Sequence, residues 1–307
     1  MFHQRCVKVE NLPFGRPGRF FKGNLHTHST NSDGDHTPAE VIDRYHRAGY
    51  DFLTLSDHFL ERYGYPVTDT RALRRDDFTT LIGAELHVSK TLTDELWHVL
   101  AIGLPTDFAA PGEGEDIVSL TRRAADAGAF IGIVHPEWYG LTPDDARVID
   151  RAHAIEVYNH GSHVENDRGY GWGLCDILLN QGWRLTGFAT DDAHHVTHDA
   201  FGGWIQVWAE RLDPDLILES LKAGRYYSSQ GPEIHEICFE GDEIHVTCSP
   251  VAVISAQGKG SRAKYVKGDD MTEGRLPMKR FKDGHIRVTV CDAQGHRAWS
   301  NPVWLAA

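Results

Sequence analysis

The chain has 307 residues, 41% hydrophobic and 24% charged, which is ordinary globular usage and enough for one large α/β domain plus a small module. Its formal net charge of -13 excludes a surface built to coat nucleic acid, because phosphate backbones need clustered Lys and Arg. No apolar run approaches the ~20 residues of a membrane span.

Residues 1–21 carry Pro13, Gly15, Pro17 and Gly18 and read as a short strand and loop. Strand 23–28 follows and ends in His26-Thr27-His28. Side chains repeat every second residue on a strand, so the two imidazoles point the same way, as a metal clamp needs. Asp33 follows on the turn. Thr37-Pro38 then starts a helix with Pro in its first turn, Val41, Ile42, Tyr45 and Ala48 recur at helical spacing, and Gly49 stops it. Phe52-Leu53-Thr54-Leu55 is short and apolar, as buried parallel strands are, and runs into Ser56-Asp57-His58. Imidazole plus carboxylate suits Zn, Mn or Fe.

Residues 59–77 form a polar loop with Arg62, Tyr63, Tyr65, Arg71, Arg74 and Arg75. Leu81-Ile82-Gly83-Ala84-Glu85 is a strand ending in an acid, and a Glu buried there needs a partner. A further strand, 97–103, has His98 at its head. Helix 114–128 leads to Phe130-Ile131-Gly132-Ile133-Val134-His135-Pro136, and strand 154–159 ends in Glu156, Tyr158 and Asn159. Helix 175–181 precedes Leu185-Thr186-Gly187-Phe188-Ala189-Thr190, which runs into Asp191-Asp192-Ala193-His194-His195. Strand 204–208, helix 214–223 and a short strand, 225–228, complete this part.

Polar and ligand-type residues fall repeatedly at one strand end, as in (β/α) barrels, where catalytic groups sit at the carboxyl face. About seven strands are expected, so the barrel is irregular. From residue 233 helical periodicity disappears, and short β runs appear at 234–239, 243–248, 251–255, 285–291 and 298–305, with hairpin signals at Asp283-Gly284 and Gln294-Gly295. The fold class is therefore α/β: a distorted (β/α)7 barrel over 1–231, then a small all-β, sandwich-like module over 232–307. Five scattered cysteines without a C-x-x-C pair read as reduced. The N-terminus lacks the apolar core of a signal peptide, and a cytoplasmic location is expected.

His26-x-His28 with Asp33, Ser56-Asp57-His58, Glu85, His98, His135-Pro136 and Asp192-Ala193-His194 together resemble the PHP (polymerase and histidinol phosphatase) superfamily. The resemblance covers about residues 22–232. The chain is most similar to the branch that includes carbaryl hydrolases, through 21–26, 155–159, 190–194, 224–228 and 298–302. The resemblance implies two or three divalent ions, Mn, Fe or Zn. One would take His26, His28, Glu85 and Asp192. A second would share Glu85 and take His98 and His135. A third would take Asp33, His58 and His194. Asp57 reads as orienting a ligand rather than binding metal, and His87, His160, His163 and His195 read as ordinary surface or core histidines.

The function expected is that of a metal-dependent phosphoesterase acting on a small phosphate ester, a nucleotide, sugar or cyclic phosphate, by attack of a metal-bridging hydroxide. Asp192 would orient the nucleophile, and His194 or His195 would protonate the leaving group. Arg62, Arg168, Arg225, Glu156, Tyr158 and Asn159 are candidate substrate contacts. The alternatives are hydrolysis of a carbamate, ester or amide at the same centre, or a non-catalytic metal-binding domain. The expected partner is a small molecule, with neither a membrane nor a nucleic-acid-coating surface, and the sequence leaves the oligomeric state open.

Overall fold

The computed structural model describes residues 12–305, so Cys6 and most of the expected first strand lie outside it. The elements run β1 (Arg19–Asn24), α1 (Pro38–Arg47), β2 (Phe52–Leu55), β3 (His58–Phe59), β4 (Thr79–Leu86), β5 (Val99–Ile102), α2 (Ile117–Asp126), β6 (Phe130–Ile133), α3 (Pro143–Val148), β7 (Ala154–Asn159), α4 (His160–Asn166) and α5 (Trp172–Asn180). They continue with β8 (Thr186–Thr190), β9 (Trp204–Ala209), α6 (Pro214–Lys222), β10 (Tyr226–Ser229), β11 (Ile234–Glu240), β12 (Glu243–Gly258), β13 (Ala263–Pro277), β14 (His285–Cys291), β15 (Arg297–Ser300) and β16 (Val303–Trp304).

The architecture is mixed α/β around one large sheet, ordered β11-β12-β14-β15-β10-β9-β1-β2-β4-β5-β6-β7-β8. β1, β2 and β4 are parallel, as are β6, β7 and β8. The parallel run breaks at β5, which is antiparallel to both β4 and β6. The connection before it, residues 87–98, holds no α-helix, so the chain reverses instead of crossing over. Beyond the strand ends, Thr27 bridges Ala193 in parallel and brings the loop after β8 back onto the loop after β1.

Local chemistry accounts for the framework. α1 begins with a capping box between Thr37 and Glu40, with Pro38 in the first turn, and buries Val41, Ile42 and Tyr45. α2 and α3 carry capping boxes on Asp116 and Thr142. Gly23 is dictated by close approach: a Cβ there would sit 2.1 Å from the Phe52 ring on the neighbouring strand. Phe52, Leu81, Leu100, Phe130, Phe188 and Ile205 share one buried cluster inside the strands, and α2, α3 and α5 cover an outer one that includes Leu120, Ile155 and Leu178.

The sheet crosses residue 231 without interruption, because β10 pairs antiparallel with β15. The C-terminal strands have their own apolar cluster, including Ile244, Ile254, Val288 and Val290. The Gln294-Gly295 turn joins β14 to β15, with Gly295 at φ 95°. Two of the expected strands, 243–248 and 251–255, are one strand, β12. β13 was not anticipated: it is largely exposed, so no burial imposes alternation on its sequence. Cys238 also departs from expectation, being disulfide-bonded, whereas Cys175, Cys248 and Cys291 are free. No helix among the described residues is long and apolar enough to cross a membrane.

Arg287 ties β14 to α5, its guanidinium gripping Asp176 at 2.8 and 3.0 Å while stacking 3.9 Å over Trp172. Asn301 completes the junction. Its Oδ1 accepts the Gly187 N–H, and its Nδ2 donates to the Gly224 and Tyr226 carbonyls, all buried. Asn301→Ala would strand these groups, and a loss of about 3 kcal/mol is expected in urea unfolding. A loss below about 0.5 kcal/mol would show that the junction is not held there.

Candidate metal centre

The site forms where strand ends converge. The Asp192 N–H donates to the His26 carbonyl at 3.0 Å, and the His28 N–H donates to the Ala193 carbonyl at 2.9 Å. These bonds clasp the loops after β1 and β8 and set His26 Nε2 3.0 Å, and His28 Nε2 3.1 Å, from one Asp192 oxygen. On β4, Glu85 stands opposite His58 in the parallel register, with His58 Nδ1 2.7 Å from Oε2. His98 sits just before β5. Because β5 is antiparallel, its amino end lies at the same sheet end, and His98 Nδ1 comes within 2.7 Å of Glu85 Oε1. His135, just past β6, places Nε2 3.2 Å from the same oxygen. Asp33 faces His58 Nε2 at 3.3 Å and His194 Nε2 at 3.6 Å.

Four groups of these atoms could hold a metal ion: His28, Asp33, His58 and His194; His58, Glu85, His87 and His98; His26, His28 and Asp192; and His26, Glu85 and His135. The donor chemistry fits a divalent cation. Glu85 Oε2, His26 Nε2 and His28 Nδ1 are buried without hydrogen-bond partners, an arrangement that is costly unless something else compensates.

The electrostatics point the same way. Burial would raise Glu85, but the imidazoles of His98, His58, His87 and His26 win and hold it well below the carboxylate range. Asp192 is buried too and is held low by His26, His28 and His194. Asp33 follows, with burial opposing and His58 dominating the fall. Burial lowers His98 to about 3 against the pull of Glu85, and it lowers His28 as well. His58 rises to about 10, because Glu85 and Asp33 overcome its burial. His26 is raised too, because Asp192 and Glu85 overcome its burial, so the carboxylates draw positive charge into the cluster.

Two strained backbone positions lie here. His135 and Asp192 both have positive φ, 26° and 55°, a region non-glycine residues avoid and that often marks functional sites. Outer partners hold them. Glu156 accepts the His135 N–H at 2.6 Å, an Asn159 Nδ2–H at 3.0 Å and the Thr190 hydroxyl, and it faces His26 Nδ1 at 3.3 Å. Asn159 also donates to Asp192 Oδ2 at 3.0 Å. Asp191 lies behind them, accepting from Asn24, Tyr45 and the N–H groups of Phe201, Gly202 and Gly203. Asp57 shapes the loop after β1 by accepting from Ser29, Ser32 and Thr68.

The centre opens into a cavity of about 370 Å³ whose wall includes Leu60, Arg62, Leu96, Trp138, Ser162 and Glu165. Several expected substrate contacts lie elsewhere. Glu156 and Asn159 sit behind the candidate ligands, buried, and do not line this cavity. Tyr158 packs in the core and borders a separate cleft with His160. Arg225 pairs with Glu219 on another face, beside Trp208. Arg168 is bonded to the Trp138 carbonyl at 3.1 Å, which leaves Arg62 as the expected arginine on the wall. His194 lines the cavity, whereas His195 turns outward to Asp35 at 2.7 Å. His87, read from sequence as an ordinary histidine, stands inside the cluster. Its signal was the Glu85-x-His87 spacing, which puts both side chains on one strand face. Among the tail histidines, His235 pairs with Glu233 and His245 with Glu273, outside the centre.

A two-domain protein from Bacteroides vulgatus containing a predicted PHP-like metal-dependent phosphoesterase superposes with a TM-score of 0.56 at 18% identity, over 95% of this chain and 96% of that one. The fold is PHP-like. Two weaker comparisons have TM-scores of 0.43 and 0.42: a protein from Bifidobacterium adolescentis proposed to be a metal-dependent phosphoesterase, and an amidohydrolase from Chromobacterium violaceum with bound sulfate and no metal. The first is 15% identical over 66% of this chain and 96% of that one. The second is 17% identical over 58% and 89%. No family model matches the chain, and no curated protein matches it.

Glu156 is the partner through which His26, His135 and Asn159 are oriented. Glu156→Gln would place an N–H₂ against donors and weaken divalent-ion binding by about 10–100-fold, the usual cost of losing an outer-shell partner. Calorimetric titration with zinc measures it, and unchanged affinity would reject the role.

Proposed function

We propose that the chain is a metal-dependent hydrolase of a small phosphate ester. The observation that carries this is the fully buried Glu85 carboxylate, shared by His26, His58, His98 and His135, with Asp192 and Asp33 on the far side. A first ion would be held by His26, His28, Glu85 and Asp192, a second by Glu85, His98 and His135, and a third by Asp33, His58 and His194. The surrounding strands are read as the distorted seven-stranded barrel expected from the sequence, with the C-terminal strands as an accessory module. Divalent ions bound there would acidify water and neutralise charge on substrate oxygens.

The chain's own groups do the rest. Asp192, fixed by Asn159, is placed to orient a water molecule. His194 donates Nδ1–H to the Asp192 carbonyl at 3.0 Å, which leaves Nε2 directed at Asp33, a geometry suited to ligation rather than to protonating a leaving group. Arg62 is the cation available to a phosphate at the wall. Glu165, also on the wall, disfavours a large polyanion and favours small esters.

A second reading is supported by Leu60, Leu96 and Trp138 on the same wall. They suit an aryl carbamate or ester, in keeping with the resemblance to the carbaryl hydrolase branch. Two measurements decide. The as-purified protein should carry at least two ions, and chelation should lower its melting temperature by removing a ligand of the folded state only. Asp192→Asn should fold, lose metal and fall to background turnover. One metal-loaded preparation is then offered nitrophenyl phosphate and naphthyl carbamate. The phosphate is expected to have the larger kcat/KM, and exclusive cleavage of the carbamate would replace the phosphoesterase reading.

A further inference from the structure

His87 follows Glu85 by two residues and is 2% exposed. Its Nδ1 lies 2.9 Å from the Trp97 carbonyl. A carbonyl only accepts, so the one N–H of a neutral imidazole is at Nδ1, and Nε2 presents a lone pair. That Nε2 is 2.8 Å from His58 Nδ1 and 3.5 Å from Glu85 Oε2. We propose that His87 is a positioning residue of the centre: it accepts the His58 Nδ1–H and so directs His58 Nε2, with the lone pair it would offer an ion, toward Asp33 and His194.

Direct ligation of an ion by both His58 Nδ1 and His87 Nε2 fits the distances less well. Two nitrogens on a tetrahedral zinc with bonds of ~2.0–2.1 Å lie about 3.3 Å apart, whereas 2.8 Å is a hydrogen-bond separation. The neighbouring ligand is arranged in the same way. His194 uses Nδ1 on the Asp192 carbonyl and keeps Nε2 for Asp33. His58 and His194, which both face Asp33, are thus each set from behind, one by His87 and one by a carbonyl. Metal-ligating histidines are commonly fixed through their other nitrogen, usually by a carboxylate, carbonyl or water. Here an imidazole, itself anchored on Trp97, takes that place, while Glu85 Oε2 lies 2.7 Å from the same His58 nitrogen without accepting a hydrogen bond.

This rests on the metal-centre reading, and the experiment separates the two. Wild type, His87→Gln and His87→Leu are loaded with zinc and dialysed against graded chelator, ions per chain are counted by elemental analysis, and imidazole ¹⁵N–¹H correlation spectra are recorded. Gln keeps an acceptor near the Nε2 position, and Leu does not. In wild type, His87 and His58 should both carry the proton on Nδ1. The Leu variant should lose about 10–100-fold in affinity for one ion and keep the others, and Gln should restore most of that loss. Equal retention by all three proteins overturns the proposal. A Gln variant as impaired as Leu overturns it in favour of direct ligation. If the Leu variant does not fold, the wild-type spectrum decides, and a proton on His87 Nε2 overturns the proposal. Wild type that binds no zinc sinks the metal centre instead, while the spectrum of that metal-free protein still tests the bond between His87 and His58.

Discussion

A carboxylate with no solvent exposure organises this molecule. Glu85 lies inside the sheet with imidazoles on both of its oxygens. An isolated ion there would be prohibitive, so the elements around it are constrained to deliver compensation. β3 pairs beside it to bring His58, β5 reverses to bring His98, and β6 stops in a strained turn to bring His135. The departures from a regular strand–helix alternation fall where this anion demands a particular side chain.

The residues that converge on Glu85 and Asp192 were readable in the sequence because they obey local rules. His26-x-His28 follows the period of two, Asp192-x-His194 follows an apolar strand, and His135 closes a buried run. What was not readable depends on direction and reach. Nothing near residues 97–103 reveals that β5 runs backwards, because an apolar strand of four residues reads the same either way. Arg225 and Arg168 carry charge suited to an anion, but their long side chains find Glu219 and a carbonyl elsewhere. Glu156 and Asn159 were correctly read as polar groups at a strand end, yet they sit one layer behind the cavity. His87 was passed over because a single histidine after an acid has many ordinary explanations.

The outer layer explains how strained residues persist. Positive φ at His135 and Asp192 costs of order 1–3 kcal/mol each. Glu156 holds the His135 N–H, Asn159 holds the Asp192 carboxylate, and Asp191 gathers the Phe201–Gly203 turn behind both. These residues touch one another as a connected network, so a change in one is felt by several ligands at once. The C-terminal strands join through the β10–β15 ladder and Asn301, which stabilises the base of β8 rather than its functional end.

The clasp between Thr27 and Ala193 has a consequence for biosynthesis. His28 and Asp192 meet across a separation of 164 positions. A ribosome adding about 5–20 residues per second would expose the paired imidazoles of the first turn roughly ten to thirty seconds before the carboxylate that completes their cage. During that interval an ion would find only open, exchangeable coordination. An ion that needs the full donor set would be captured only by the nearly finished chain, after its first strand has long been made.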